Sequence, residues 1–198
     1  MVLRGGVVAA VVCAAMPAQA ADFRVATQPE YQAAVKKAQP GDRIVLRNGT
    51  WRDFQILFTG QGKAGAPITL TAESRGGVIL SGASNLRIGG EHLVVSGLVF
   101  RDGQSPTDHV IAFRKDSKSY ARNSRITEIV IDRFNKPDRR AEDMWVAIYG
   151  QDNRVDHSHF EGKANAGVTL AVIRDKGHAE PNRARIDHNY FGPRPPRP

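Results

Sequence analysis

The sequence predicts an all-β protein: a right-handed single-stranded parallel β-helix whose N-terminal coils are closed by one short helix. Three observations carry this reading. A branched apolar residue followed five positions later by Phe occurs four times, as Val95 with Phe100, Ile129 with Phe134, Val155 with Phe160, and Ile186 with Phe191. The last two copies share an order: Arg154-Val155-Asp156-His157-Ser158-His159-Phe160 is answered by Arg185-Ile186-Asp187-His188-Asn189-Tyr190-Phe191. The apolar runs between Asp42 and Val95 are short and separated by Gly-rich turns, with no regular helices. A strand recurring at intervals of roughly 20–45 residues marks a stacked architecture, in which each unit buries its apolar face on its neighbours. A doubly wound α/β sheet needs helices between its strands. A β-sandwich does not predict the repeat. Stacked coils do, because equivalent side chains then line up in internal ladders.

Taken in order, residues 1–20 read as a secretory leader. Arg4 gives the positive start, Val7 to Met16 an apolar run too short to span a bilayer, and Ala18-Gln19-Ala20 a small-x-small cleavage site. The expectations are a periplasmic or secreted protein without stable membrane insertion, and a β-helix domain over residues 21–198. Cys13, the single cysteine, lies in the leader, so neither a disulfide framework nor a thiolate metal site is expected. Thr27 and Glu30 form a capping box, with Pro29 in the first turn. Tyr31, Ala34, Val35 and Ala38 share one face of the helix that follows; Lys36 and Lys37 suit its C-terminal end, and Pro40-Gly41 stops it. A solenoid needs such a cover over its open end. Strands are then predicted at Ile44-Val45-Leu46, Ile68 to Thr71, Val78-Ile79-Leu80 and Leu93-Val94-Val95, the first closed by the turn Asn48-Gly49.

The formal charge of +8 on 198 residues suits an acidic partner, and export disfavours nucleic acid in that role. The basic residues concentrate in two long stretches predicted as loops, Asp102–Arg125 and Lys136–Trp145. In a solenoid such insertions gather on one face, often the binding face. Arg114, Lys115, Arg139 and Arg140 are therefore the candidate substrate-binding residues, set against the plainer reading of a solvated surface.

Other motifs yield less. Gly60-Gln61-Gly62-Lys63-Ala64-Gly65 satisfies G-x-G-x-x-G but leads into Ala66-Pro67 and a strand, where a dinucleotide site needs a helix. Glu142 and Asp143 are neighbours in a basic stretch, not two acids placed across one glycosidic bond. His157 and His188 lie two residues after apolar positions, so strand alternation puts them beside the core, their imidazoles hydrogen-bonded along a ladder. Ser158 and Asn189 suit the bend that follows.

Several ordered stretches resemble one family of polysaccharide lyases, family 6, which holds alginate lyases and chondroitinase B. They are Pro40 to Trp51, Gly65 to Leu70, Leu93 to Gly103 with Gly97-Leu98-Val99-Phe100 at its centre, Asn153 to Phe160, and Ile186 to Pro196. The resemblance covers nearly all of the chain after the leader. It implies a pectin-lyase-like β-helix and β-elimination on a uronic-acid polysaccharide, alginate before chondroitin or dermatan sulfate. In such enzymes calcium neutralises the uronate carboxylate, a Lys removes the C5 proton and an Arg assists at the leaving side.

In the family those groups come in coils after Gly192-Pro193-Arg194-Pro195-Pro196, and from Arg197 this sequence leaves the pattern. No catalytic residue and no metal ligand is therefore assigned; calcium is expected only of a full-length member. The expectation is the N-terminal portion of such a lyase, inactive alone. The alternative is a non-enzymatic β-helix that binds an anionic polysaccharide through its basic loops.

Overall fold

The computed structural model describes residues 20–174 and 180–196; residues 1–19 of the predicted leader lie outside them. From Asp22 onward the chain winds into a right-handed parallel β-helix of about five coils, with a single helix among the described residues. Three parallel sheets run along it. The first contains Asp22–Val25, Arg43–Leu46, Ile68–Ala72, Leu93–Ser96, Arg125–Thr127, Arg154–Asp156 and Arg185–Asp187. The second contains Gly49–Arg52, Val78–Ala83, Leu98–Gln104, Val130–Asp132, His159–Glu161 and Tyr190–Phe191. The third is built from Gln55–Gln61, Asn85–Glu91, His109–Ala112, Ala121–Arg122, Met144–Ile148 and Leu170–Val172.

Register explains the core. In the first sheet Ile44, Leu70, Val95, Ile126, Val155 and Ile186 stand directly over one another. In the second, Leu80, Phe100, Ile131, Phe160 and Phe191 do the same. The members from Ile44 to Val155 and from Leu80 to Phe160 are fully buried. Each such side chain stabilises the fold by about 1.5–3 kcal/mol. Ile186 and Phe191, on the last described coil, are 39% and 50% exposed.

This register corrects one sequence expectation. The second copy of the repeat is Ile126 with Ile131, not Ile129 with Phe134, so the branched apolar position recurs at intervals of 31, 29 and 31 residues. Phe134 lies three residues further on and turns inward to meet the ring of Phe100 edge-on at 5.6 Å.

The corners of each coil fix that register. Between the first and second sheets Gly97, Glu128, His157 and His188 all have φ between 49° and 75°. Between the second and third, Asp102, Arg133 and Gly162 have φ between 46° and 76°; between the third and the next first-sheet strand, His92, Asn123, Asp152 and Arg183 have φ between 48° and 56°. This left-handed conformation is uncommon outside Gly, and Asn, Asp and His enter it more readily than most. Short polar side chains beside the corners hold the freed backbone. Ser158 Oγ accepts from Ile129 N at 3.1 Å, and Asn189 Oδ1 from Ser158 N at 3.0 Å. Asn153 Oδ1 accepts from Ser124 N at 2.9 Å.

The same corner corrects the placement of His157 and His188. They do form a ladder, with rings parallel to within 1° at 4.9 Å. However, alternation fails at a left-handed residue, and the ladder stands outside the core with both side chains more than half exposed. Their Nδ1 atoms face Asp156 at 3.2 Å and Asp187 at 2.9 Å rather than each other.

The helix spans Gln28–Lys37, capped by Thr27 Oγ1, which accepts from Glu30 N at 3.3 Å. Tyr31 and Ala34 are buried and Val35 and Ala38 pack against the core. Tyr31 also meets Phe54 edge-on at 5.2 Å and donates from its hydroxyl to Leu57 O at 3.1 Å. The open end of the solenoid is covered as the sequence predicted. Of the glycine-rich Gly60–Gly65 stretch, Gly60 and Gln61 end the strand Gln55–Gln61, and a turn follows, closed by paired backbone hydrogen bonds between Lys63 and Ala66.

The third sheet corrects the two predicted loops. Asp102–Arg125 holds the strands His109–Ala112 and Ala121–Arg122, and Lys136–Trp145 runs into Met144–Ile148. Those coils close into a triangle because these segments supply its third side.

Candidate functional site

The outer side of the third sheet carries a group of basic and aromatic side chains, among them Arg87, Arg114, Tyr120 and Tyr149. Alternation turns Ile111 and Val146 inward and Ala112 and Ala147 outward, in register with Arg87 on one side and Ala171 on the other. The larger side chains stand around this row of small ones.

Between His109–Ala112 and Ala121–Arg122, which both pair with Asn85–Glu91, the chain makes an antiparallel excursion. Arg114 bridges to Tyr120, and Lys115 N donates to Ser119 O at 2.7 Å. Two of the four predicted residues, Arg114 and Lys115, start this excursion. The Arg114 guanidinium lies 4.2 Å from the centroid of the Tyr149 ring, a cation–π contact that fixes its position. The Tyr149 hydroxyl shares a hydrogen bond with His109 Nε2 at 3.2 Å, and Tyr120 approaches Tyr149 with ring centroids 6.0 Å apart. Burial lowers the pKa of His109 and Arg114 lowers it further, against the opposing pull of Asp108 and Asp143, so the ring is neutral at pH 7. Beyond Tyr120, a groove of about 280 Å³ is lined by Gln61, Glu91, Lys118 and Arg122 among others.

Arg139 and Arg140 stand on a separate excursion, between the second and third sheets. Arg139 is half-buried: its Nη2 donates to Pro196 O at 3.2 Å and its carbonyl accepts from Ala166 N at 2.8 Å. Arg140 is exposed, with its backbone N–H held by Asp138 Oδ1 at 2.8 Å. The first of this pair ties loops together; the second projects into solvent.

Under that excursion lies an ion pair that sequence reasoning missed. Lys163 Nζ meets Asp143 Oδ1 at 2.5 Å and Asn165 Oδ1 at 3.2 Å, with both charged side chains at most 1% exposed. Burial lowers the Lys163 pKa, opposed by the adjacent Asp143 carboxylate. Arg194 donates to Asn165 O at 2.7 Å and Gly167 O at 3.3 Å, and Asn135 donates to Gly162 O at 2.9 Å. The segments that follow three successive second-sheet strands are thus tied into one wall. No local motif announces this pair, because its members meet only when two coils stack.

The face is suited to holding anions and stacking sugar rings. It is not suited to the calcium ion that the family resemblance implies. Among the described residues no three His, Cys, Asp or Glu side chains are placed to hold a metal, and the buried carboxylate of Asp143 already faces Lys163.

Comparison with known proteins agrees with the fold. The family model described as Chondroitinase B matches residues 25–198. The structure of the PL6 family alginate lyase AlyGC is similar, with 53% identity and a TM-score of 0.86, over 88% of this chain and 24% of that one. A mannuronic acid specific family 6 lyase from human gut microbiota shows 34% identity and a TM-score of 0.81, over 89% and 41%. The PL6 family polysaccharide lyase Pedsa3628 from Pseudopedobacter saltans shows 29% identity and a TM-score of 0.69, over 85% and 42%. No curated protein sequence matches. The chain spans about a quarter of the length of AlyGC and about two-fifths of the other two. By its matched residues, its fold and its identity to solved members, the chain belongs to the Chondroitinase B family, the PL6 polysaccharide lyases.

Proposed function

We propose that this chain is the N-terminal part of an exported lyase that cleaves a uronic-acid polysaccharide by β-elimination, alginate before a glycosaminoglycan. The observation that carries the reading is the 53% identity to an alginate lyase over 88% of the chain, with only 24% of that enzyme spanned. β-Elimination takes the C5 proton of a uronate, breaks the bond from C4 to the leaving sugar oxygen and leaves a C4–C5 double bond. It needs a base and a neutralised carboxylate at one place. In this reading those groups stand on other coils, not on the third-sheet face. Its share of the work is binding: Arg114 and Lys115 take uronate carboxylates, and the aromatic groups beside them take sugar faces. Arg140 stands over the neighbouring wall, and Arg139 anchors it.

The test is to mix the purified chain with alginate and calcium and follow the ultraviolet absorbance of unsaturated ends. No rise is expected, and a clear rise would overturn the assignment of chemistry to other coils. Binding to immobilised alginate is expected to persist, to weaken with salt, and to fall when Arg114, Lys115 and Arg140 are replaced by Gln. Export is checked by sequencing the N-terminus of the product recovered outside the cytoplasm, which is expected to begin at Ala21.

A further inference from the structure

The groove beyond Tyr120 lies where the third-sheet strands run out, and its cations have no acids to meet. Among the described residues that line it, Lys118 and Arg122 are basic and Glu91 is the single carboxylate. Both basic side chains are exposed, and neither forms an ion pair among the described residues. Arg114 and Lys115 begin the same excursion, and Asp116 lies within it, bonded to Lys118 N at 2.9 Å. Four cations thus stand against two carboxylates. The volume, about 280 Å³, is at the small end of ligand sites and suits one ring rather than a chain of them.

Glu91 is the group that should neutralise Arg122, and it does not. Register makes the two direct neighbours on adjacent strands, where opposite charges ordinarily pair. Instead, Glu91 Oε1 accepts from Asn123 Nδ2 at 2.8 Å and lies 3.8 Å from His92 Nε2. Strand alternation would carry the Asn123 side chain to the face opposite Arg122. The left-handed backbone at Asn123, with φ 48°, breaks that alternation and lets its amide hold the Glu91 carboxylate at the corner.

The cations are carried on fixed backbone. Arg122 pairs with Glu91 on one side and bridges to Gln151 on the other, and its carbonyl accepts from His92 N at 3.1 Å. The excursion that bears Lys118 is closed by the Arg114–Tyr120 bridge, and the Tyr120 hydroxyl donates to Ser117 O at 2.8 Å. It is seated on the sheet at Gly89, where a Cβ would come within 2.6 Å of Lys115 Cβ. The groove is therefore formed before any ligand arrives.

We propose that this groove is an anion subsite for one uronate unit of the polysaccharide. Arg122 and Lys118 take the carboxylate, and Asn123 keeps the site open by holding Glu91 away from Arg122. The ligand class rests on the proposed function; the unpaired cations do not.

The probes are a mannuronate and a guluronate hexamer, titrated into the full chain by calorimetry, with a neutral gluco-oligosaccharide of equal length as control. Arg122→Gln is expected to weaken binding of the acidic hexamers about tenfold, the loss typical of a charge-assisted hydrogen bond. Arg122→Lys should keep most of it. Asn123→Gly tolerates the corner but frees Glu91 to pair with Arg122, so binding is expected to fall roughly two- to fivefold. Glu91→Gln keeps an acceptor for Asn123 and should strengthen binding by a similar factor. Combined with Asn123→Gly, it should abolish the loss. Equal loss in both backgrounds overturns the part given to Asn123.

If Arg122→Gln and Lys118→Gln bind as the native chain does while Arg114→Gln abolishes binding, the subsite is overturned and the proposed function stands. Equal binding of the neutral sugar also overturns it. Inorganic sulfate, followed through the amide shifts of residues 118–123, asks for the anion site alone. Shifts that vanish in Arg122→Gln, with no hexamer binding, keep the subsite and overturn the polysaccharide reading. No response to either probe overturns the subsite.

Discussion

Lys163 and Asp143 form an ion pair at 2.5 Å that is closed off from solvent and joins two successive turns of the solenoid beside the candidate substrate face. Two charges taken out of water depend on one another, and removing one leaves the other stranded. Lys163→Met is expected to destabilise the chain by about 3–5 kcal/mol in urea unfolding. The double replacement Lys163→Met with Asp143→Leu should recover a large part of that loss. If the single and double variants are equally unstable, the pair is not what the wall depends on.

Acid should unfold the protein through the ladder of arginines and aspartates on the first sheet. Arg125 grips Asp156 with Nε at 2.8 Å and Nη2 at 2.6 Å, and Arg154 grips Asp187 with 2.9 and 2.7 Å. Burial opposes ionisation of Asp156, but the hydrogen bonds from Arg125 and Thr127 outweigh it and the carboxyl is held below the usual range. Asp187 is held well below that range, chiefly by Arg154. Both folded values lie below the unfolded one, near 3.9, so the unfolded chain takes up protons first. Stability is therefore full above about pH 5 and lost progressively as pH falls towards the folded values. Asp156→Asn should flatten that acid limb in a series of melts; an unchanged limb would remove the ladder from the explanation.

Polysaccharide binding on the third sheet should depend on Tyr149 as much as on Arg114. The ring positions the guanidinium, and its hydroxyl is set by His109. Tyr149→Leu is expected to weaken alginate retention about as much as Arg114→Gln, by roughly 0.5–2 kcal/mol if the cation–π contact is what organises the arginine. Tyr149→Phe, which keeps the ring, should keep most of the binding. Strong loss in Tyr149→Phe would transfer the role to the hydroxyl.

Two glycines with positive φ separate backbone strain from crowding. At Gly90 a Cβ would lie 2.0 Å from Gly60 O, whereas at Gly65 it would meet nothing within 4 Å. Gly90→Ala is expected to lower the melting temperature sharply, because neighbouring coils cannot part without breaking the sheet. Gly65→Ala carries only the conformational penalty, about 1–2 kcal/mol. Similar losses at both sites would mean that coil spacing is softer than the geometry implies.

Much of this architecture was legible in the sequence, and the gaps have physical causes. The helix was readable because its cap, first-turn proline and apolar face are all local. The first-sheet ladder was readable because Val95, Val155 and Ile186 keep one chemistry. Its fourth member reads three residues late because Ile129 and Phe134 imitate the spacing, while the true register is set by the corner at Glu128, a residue type that does not advertise left-handed backbone. His157 and His188 fall on the other side from the one alternation predicts for a related reason: the left-handed corner breaks the alternation. The third sheet hid in its basic stretches because the excursion from Arg114 to Tyr120 interrupts a strand. Lys163 with Asp143, and Tyr149 with His109, were invisible for want of any local signal. Each pair exists only as a contact between coils.

The three columns of left-handed corners also have a consequence for how this fold changes over time. Each corner resets the direction of the chain, so residues inserted between two corners do not alter the path of the coil above. The excursion at 114–120 and the longer one at 135–143 sit in intervals of that kind, while the strands on either side keep their pairing. Such a scaffold can acquire, lengthen or exchange surface loops one at a time without renegotiating its interior. Diversification of the binding face is thereby uncoupled from the integrity of the stack.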